Sequence, residues 1–381
     1  MQIDGILQLI GLILYEAILA FFMGAFFPME KHKKGYLFLA LTPLALMIMF
    51  HSSIVGNDSM VYWRLFNTIQ SQSIHEVLQN TRFEHGYLLF NWIVGRFTTN
   101  PQWIFIIIGT FVIASAGWWL NKYIEAPGLF CVLLVEMLMI DSWISVARQT
   151  FVIGLLFYAF DFAIRKKIVP FILVVLLACT FHNAALIFFI VYPLINIKGG
   201  GTTVSGRRYS LYEIGILIGA VVVSVFLGGI LQRLLTLFPV YGYYLNGSYI
   251  NGEARVAIIL QIIVALLMIY VPRIIEPDAI SEINAGDIPR ALYRLGFINL
   301  AIMIIANQAT IFMRFAGLFS VYRMAYFTTT VADLRYNRNR AIMTLISIIM
   351  FAIYGLVITV LKTPDWQSTY PFYWCWQTIN R

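Results

Sequence analysis

The 381-residue chain is 60% hydrophobic, 16% aromatic and only 12% charged, with a mean hydropathy of +0.81. Soluble domains carry about 25% charged and 45–50% apolar residues, so this composition excludes a soluble enzyme, a nucleic-acid binder and a disordered protein. It indicates an all-α polytopic membrane protein, in which the positions of the basic residues mean more than the net charge of +8.

A helix needs roughly 20 apolar residues to cross the hydrocarbon core. Runs of that order, several of them short, extend from Ile3 to Phe27, Tyr36 to Phe50, Gln102 to Leu120, Gly128 to Ile144, Ala147 to Ile164 and Ile168 to Phe181. Six more extend from Ala184 to Ile195, Leu211 to Leu231, Ala254 to Val271, Ala291 to Ile305, Ile311 to Val331 and Ala341 to Leu361. About twelve transmembrane helices are expected, in a single integral membrane domain over residues 1–381. The first run lacks a basic leader and a small-residue cleavage site, so it reads as a span rather than a cleaved signal. Cys131 and Cys179 lie inside apolar runs and Cys375 in a polar tail, which fits no disulfide framework.

Basic clusters mark inner loops. Lys31, Lys33 and Lys34 after the first run place the N-terminus outside. Alternation then puts Lys122, Arg165-Lys166-Lys167, Lys198 with Arg207 and Arg208, Arg273 with Arg290, and Arg335-Arg338-Arg340 inside. This parity needs residues 51–101 to stay on the outer face. Within them Ser59 to Leu78 reads as an amphipathic surface helix, and Tyr87 to Phe97 as a dipping half-helix. Residues 198–210, with a Gly199-Gly200-Gly201 linker, and 273–290 become cytoplasmic loops, the acidic stretch from Glu276 to Asp287 being simply solvated. Residues 238–253, rich in Tyr, Asn and Gly, become an outer loop whose tyrosines suit either the interface or sugar rings.

Seven of the eight lysines fall in inner loops, while the outer side carries Arg64, Arg82, Arg96, Arg148, Arg233, Arg255, Arg314 and Arg381. Lysine is a hydrated point charge, whereas the arginine fork binds phosphate bidentately. An outer face served by arginine therefore suggests a phosphate-bearing ligand, or else counter-ions for lipid headgroups. Arg148 and Arg314 sit at the mouths of spans, and Arg148 could instead pair with Asp141 or Glu136 to tie helices together. His51, His75, His85 and His182 project to the outer side without metal-ligand spacing. His182 interrupts an apolar stretch where the chain must turn, as a helix-end residue or a site residue. Asp58 and Glu84 each precede a helix, where they could cap it or take part in chemistry.

Asn57-Asp58-Ser59 with Tyr62, Phe83-Glu84-His85-Gly86-Tyr87, Ala147-Arg148-Gln149-Thr150, the Arg165-Lys166-Lys167 turn, Phe181-His182-Asn183-Ala184 and Arg314-Phe315 together resemble the EpsG/Wzy-type family of bacterial polysaccharide polymerases. The similarity is strongest from Gly56 to Pro193. Leu318 departs from the family's aromatic, and Glu84-His85-Gly86 departs from a pattern in which a proline often follows the acid. The resemblance implies a GT-C-like membrane glycosyltransferase of the bacterial cytoplasmic membrane, acting at the outer face. Such an enzyme joins undecaprenyl-pyrophosphate-linked oligosaccharide repeat units into exopolysaccharide, capsule or O-antigen. It implies no cofactor or metal, and a chain-length regulator and a flippase as partners. Arg148 and Arg314 are then expected to bind pyrophosphate, with Gln149, Arg82 and Asn183 nearby. His182 or Glu84 is the expected general base, and Asp58 and Tyr62 are expected to orient the acceptor sugar. A flippase for the same lipids, a polyprenyl-phosphate-sugar glycosyltransferase and an O-antigen ligase are the alternatives.

Overall fold

A computed structural model describes residues 2–26, 29–80, 82–196, 211–237, 255–284, 286–308, 310–361 and 367–377. The described residues are helical, with no strand and one isolated bridge, His51 to Trp374. Among the described residues seven helices are long and apolar enough to cross a membrane, or eight if one bent pair counts as a span. The protein is therefore an all-α multi-pass membrane protein. All twelve predicted runs contain helix, but several are too short or too interrupted to cross alone.

The chain divides into two compact units, Met1–Phe188 with Ala341–Arg381, and Phe189–Arg340. In the first unit come α1 (Gln2–Phe26), α2 (Met29–Phe50), α3 (Ser59–Ile69), α4 (Ile74–Leu78), α5 (His85–Val94) and α6 (Gln102–Tyr123). These are followed by α7 (Gly128–Glu136), α8 (Met139–Ser145), α9 (Ala147–Ile164) and α10 (Ile168–Phe181). The start of α2 and the ends of α6 and α9 meet at one end, where Lys33 donates to the Asn121 carbonyl at 2.8 Å and Lys122 and Arg165 both pair with Asp161. At the opposite end Gln102 donates to the carbonyls of Met49 at 2.8 Å and His51 at 3.2 Å. There the Asn57 N–H also donates to Ser145 Oγ at 2.9 Å. The candidate residues of this unit gather at this second end.

Two predicted spans are corrected. The run from Gly128 to Ile144 is broken rather than continuous: α7 and α8 meet at 58°, with Leu138 left-handed at φ 55°. The run from Ala184 to Ile195 is not an α-helical span but a 3₁₀ segment, Asn183–Ile190, followed by α11 (Val191–Asn196). Within residues 51–101 the single surface helix expected over Ser59–Leu78 is two, α3 and α4, separated by a turn at 70–73. The amphipathic α3 buries Tyr62, Leu65, Phe66 and Ile69 on one face, while α5, only 10 residues long, is about 15 Å of helix, half a bilayer core. A chain segment from Ser368 to Cys375 covers this end. Its backbone bonds to Gly56, Ser52 and Phe50 at 2.8–2.9 Å, and Phe372 exchanges two bonds with the Gln8 side chain at 2.7 and 3.1 Å.

The second unit holds α12 (Leu211–Leu237), α13 (Arg255–Ile275), α14 (Pro277–Ile283), α15 (Asp287–Ala306) and α16 (Met313–Ala332), and α17 (Asn337–Leu361) starts there and passes into the first unit. Here the predicted solvated loop is corrected twice over. α14 occupies part of it, and Glu276 is buried, accepting the N–H groups of Arg335 at 2.7 Å and Tyr336 at 3.3 Å and the Asn339 amide at 2.8 Å. The carboxylate thus caps the turn into α17. The Gly199-Gly200-Gly201 linker, Lys198, Arg207, Arg208, residues 238–253, Lys362, Asp365 and Arg381 lie outside the described residues, as do the side chains of Arg233 and Arg255.

Candidate functional site

Three elements converge on Glu84. It stands just before α5, but its side chain does not cap that helix. Instead Oε2 pairs with Arg148 Nη1 from the first turn of α9, Oε1 accepts the Asn183 N–H at 3.1 Å, and Oε1 lies 3.4 Å from Nδ1 of His182, where α10 ends. Arg148 therefore takes neither Asp141 nor Glu136 as its partner; the acid comes from a loop 64 residues away.

The close approach of α5 to the end of α10 depends on Gly86. A Cβ there would collide with the Thr180 hydroxyl and lie 2.7 Å from the Thr180 carbonyl oxygen. The position two residues after the acid must therefore be bare for Glu84 to reach His182. Gly56 does similar service below α3. Its φ is +87°, and a Cβ would sit 2.7 Å from Ser59 Oγ and 3.0 Å from Ser145 Cα, so the chain entering α3 can lie close against the end of α8, just ahead of the start of α9. Thr150 Oγ1, bonded at 2.8 Å to the Trp143 carbonyl, fixes that start in turn.

Arg148 sits among three rings, its guanidinium carbon 4.9 Å from the centroid of Phe83, 5.9 Å from Tyr62 and 6.0 Å from Tyr87. The arginine and Glu84 side chains are 13% and 11% exposed. Aromatic faces compensate a guanidinium removed from water, and the cage holds the fork in one orientation. Arg148 Nε is buried and carries no hydrogen bond, so the cation is neutralised on one side and keeps a donor in reserve. Burial alone would raise the pKa of Glu84, but the contact with His182, the Arg148 charge and the Asn183 N–H outweigh it and hold the carboxyl down to about 2. A carboxylate so stabilised is a fixed anion rather than a proton acceptor at neutral pH.

The other predicted residues divide. Tyr62 is 1% exposed and forms one wall of the cage, Gln149 is buried beside Arg148, and Asn183 contributes its backbone N–H with its side chain exposed. Asp58 occupies the N-cap position of α3 without making a side-chain cap. Arg82 is exposed, with its guanidinium 5.5 Å from the Phe83 ring. Arg314 opens α16 in the second unit and is half-buried.

Several residues that the basic-cluster parity assigned to the outer side are structural. Arg96 bonds the Gln70 and Gln72 carbonyls at 3.1 and 3.3 Å. Glu76 closes a capping box with Ser73. His51 is fully buried between the Ile48 carbonyl and Ser59 Oγ, at 2.9 and 3.1 Å, and burial pushes its imidazole down to about 4. Among the described residues no group of three or more His, Cys, Asp or Glu could hold a metal ion. Residue-type reasoning did not place Phe83 and Tyr87 in the site. Both lie in the Phe83–Tyr87 stretch around Glu84, and alternate large rings beside a lone acid were the available signal.

No curated protein and no solved structure matches the chain. The EpsG family profile matches residues 34–374, a stretch that contains Glu84, Arg148, His182 and Arg314. On that match, which spans nearly its whole length, the chain belongs to the EpsG family.

Proposed function

We propose that the protein polymerises undecaprenyl-pyrophosphate-linked oligosaccharide repeat units into a bacterial surface polysaccharide, by glycosyl transfer at the outer face of the cytoplasmic membrane. Family membership suggests a polysaccharide polymerase of exopolysaccharide synthesis. The observation that carries the finer reading is the caged Arg148, which keeps a buried N–H unpaired while Glu84 holds its other side next to the His182 imidazole.

In this reading the acceptor hydroxyl attacks the anomeric carbon of the chain linked to the lipid. As the new carbon–oxygen bond forms, the bond to the diphosphate breaks and its electron pair leaves on a diphosphate oxygen. Negative charge grows there, and Arg148 meets it as a preorganised cation that needs no reorientation during the reaction. The acceptor proton goes to His182. A carboxylate opposite Nδ1 favours the tautomer with its proton on Nδ1, leaving Nε2 bare as the base. Glu84 is then a positioning residue for both partners, and its low pKa argues against it as the base. Asp58, ahead of α3, is assigned to the acceptor sugar, while the buried Tyr62 serves the cage rather than the sugar. Arg314 is retained as a second phosphate ligand on its sequence motif. A chain-length regulator and a flippase are the partners such a reaction calls for.

The test supplies purified lipid-linked repeat units to the purified protein in detergent and sizes the product. Longer chains from the wild type, lost in Arg148→Ala, support the reading. A protein that moves the lipid across a sealed bilayer without lengthening it is a flippase, and the reading fails. Arg314→Ala tests the second arginine separately.

A further inference from the structure

Between α2 and α6, away from the cage, runs a groove of about 560 Å³. Its floor is made by small residues of α6, Ala114 and Gly117, and its rim by Phe38 of α2, which is 70% exposed. From Lys34 at one end to Met49 at the other, fifteen residues of helix separate the lining side chains, about 22 Å. The two threonines in the lining turn their hydroxyls back to their own helices, Thr42 to the Phe38 carbonyl at 2.6 Å and Thr110 to the Ile106 carbonyl at 2.7 Å. The walls therefore present almost only carbon.

The charge lies at one end. Lys33 is held on the Asn121 carbonyl, with Glu125 nearby, and Lys122 is taken by Asp161. Lys34 lines the groove itself and is exposed, with exposed Lys31 one turn earlier on α2. A carbon-walled channel ending in lysine matches a molecule with an apolar tail and an anionic head, and basic pockets between spans bind such headgroups.

We propose that this groove binds an anionic phospholipid, with its phosphate on Lys34 and an acyl chain along Ala114 and Gly117. The site is independent of the polymerase reading, because none of its residues belongs to the Arg148 cage. The test is native mass spectrometry of the full-length protein in detergent with phosphatidylglycerol or phosphatidylcholine of the same chain length. One basic residue at the surface favours an anionic lipid by about five-fold. The wild type is expected to retain phosphatidylglycerol over phosphatidylcholine by at least about that factor. Lys34→Gln removes the preference, Lys34→Arg keeps it, and Ala114→Phe, on the exposed groove floor, weakens retention of both lipids. The proposal is overturned by equal retention of the two lipids, by a preference that survives Lys34→Gln, or by retention unaffected in Ala114→Phe. A dimer of the chain that excludes lipid from the groove, or an isoprenyl phosphate that binds there more tightly than phosphatidylglycerol, also overturns it.

Discussion

At each end of the first unit a carboxylate is gripped by cations, and the two arrangements differ in what is left over. Asp161 takes Lys122, Arg165 and the Tyr123 hydroxyl at 2.5 Å. Its cations are 35% and 45% exposed, and one of them is four residues away on the same helix. Such a cluster locks helix ends together and marks orientation, and its charges remain in contact with water. Glu84 takes an arginine that is only 13% exposed from α9, and an imidazole and a backbone N–H from consecutive residues where α10 ends. It leaves a buried guanidinium N–H unpaired. Keeping polar groups out of water without full pairing costs stability. An end built to be stable would not be arranged in that way; an end built to receive an anion would.

The largest effect is expected at Arg148. Arg148→Ala should reduce chain extension by about 10²–10³ or more, the loss typical of one preorganised donor. It should also destabilise the protein, because Glu84 is left charged and half-buried. Arg148→Met combined with Glu84→Gln separates the two consequences. Thermal stability in detergent should recover in the double variant while polymerisation stays lost. If polymerisation recovers with stability, the guanidinium is only a tie, like Lys122.

Next in size is the loss at the carboxylate and its imidazole. Glu84→Gln should cost about 2–3 kcal/mol, below the 3–5 kcal/mol of a fully buried pair because both side chains keep some exposure. The folded-state pKa of Glu84 is depressed to about 2. Its stabilisation is therefore fully present above the ordinary carboxylate range and is lost as pH falls through that range towards about 2. An acid melting series of wild type against Glu84→Gln should show the wild type losing its advantage there and nowhere near neutrality. Activity should behave differently. If His182 is the base, the rate falls on acidification when the imidazole takes a proton, and this limb disappears from the residual activity of His182→Gln. An unchanged limb in that variant would remove His182 from the proton path.

Gly86→Ala probes how the cage is assembled. The new methyl has no room beside Thr180, so α5 must shift from α10 at about 1–3 kcal/mol, and Glu84 should lose His182 before it loses Arg148. Thr180→Ala in the same chain removes the hydroxyl clash but not the carbonyl, and should restore activity only in part. This residue also shows how much was legible in advance. The membrane class, the helical runs and the clustering of basic residues follow from composition and spacing, because every residue in such a run obeys the same solvation rule. Arg148, Glu84 and His182 stood out as polar groups at the ends of apolar runs. Their mutual pairing did not, since Asp141 and Glu136 were nearer along the chain and contacts between distant segments leave no periodic trace. The break at Leu138 escaped for a related reason. Neither glycine nor proline marks it, and a left-handed leucine is held there by packing rather than by its own preference.

The smallest effect should come from the opposite end, and it is the control on which the comparison depends. Lys122→Met removes one of the two cations on Asp161 and its contact with the Trp118 ring, 5.1 Å away. The lysine is 35% exposed, Arg165 and the Tyr123 hydroxyl remain on the carboxylate, and an exposed pair is worth about 1 kcal/mol or less. A shift of that size in thermal stability with unchanged chain extension is expected. Were Lys122→Met to abolish polymerisation in folded protein, both ends would be needed for the chemistry. The difference between a paired acid in water and a paired acid in a cage could then no longer be what distinguishes tether from site.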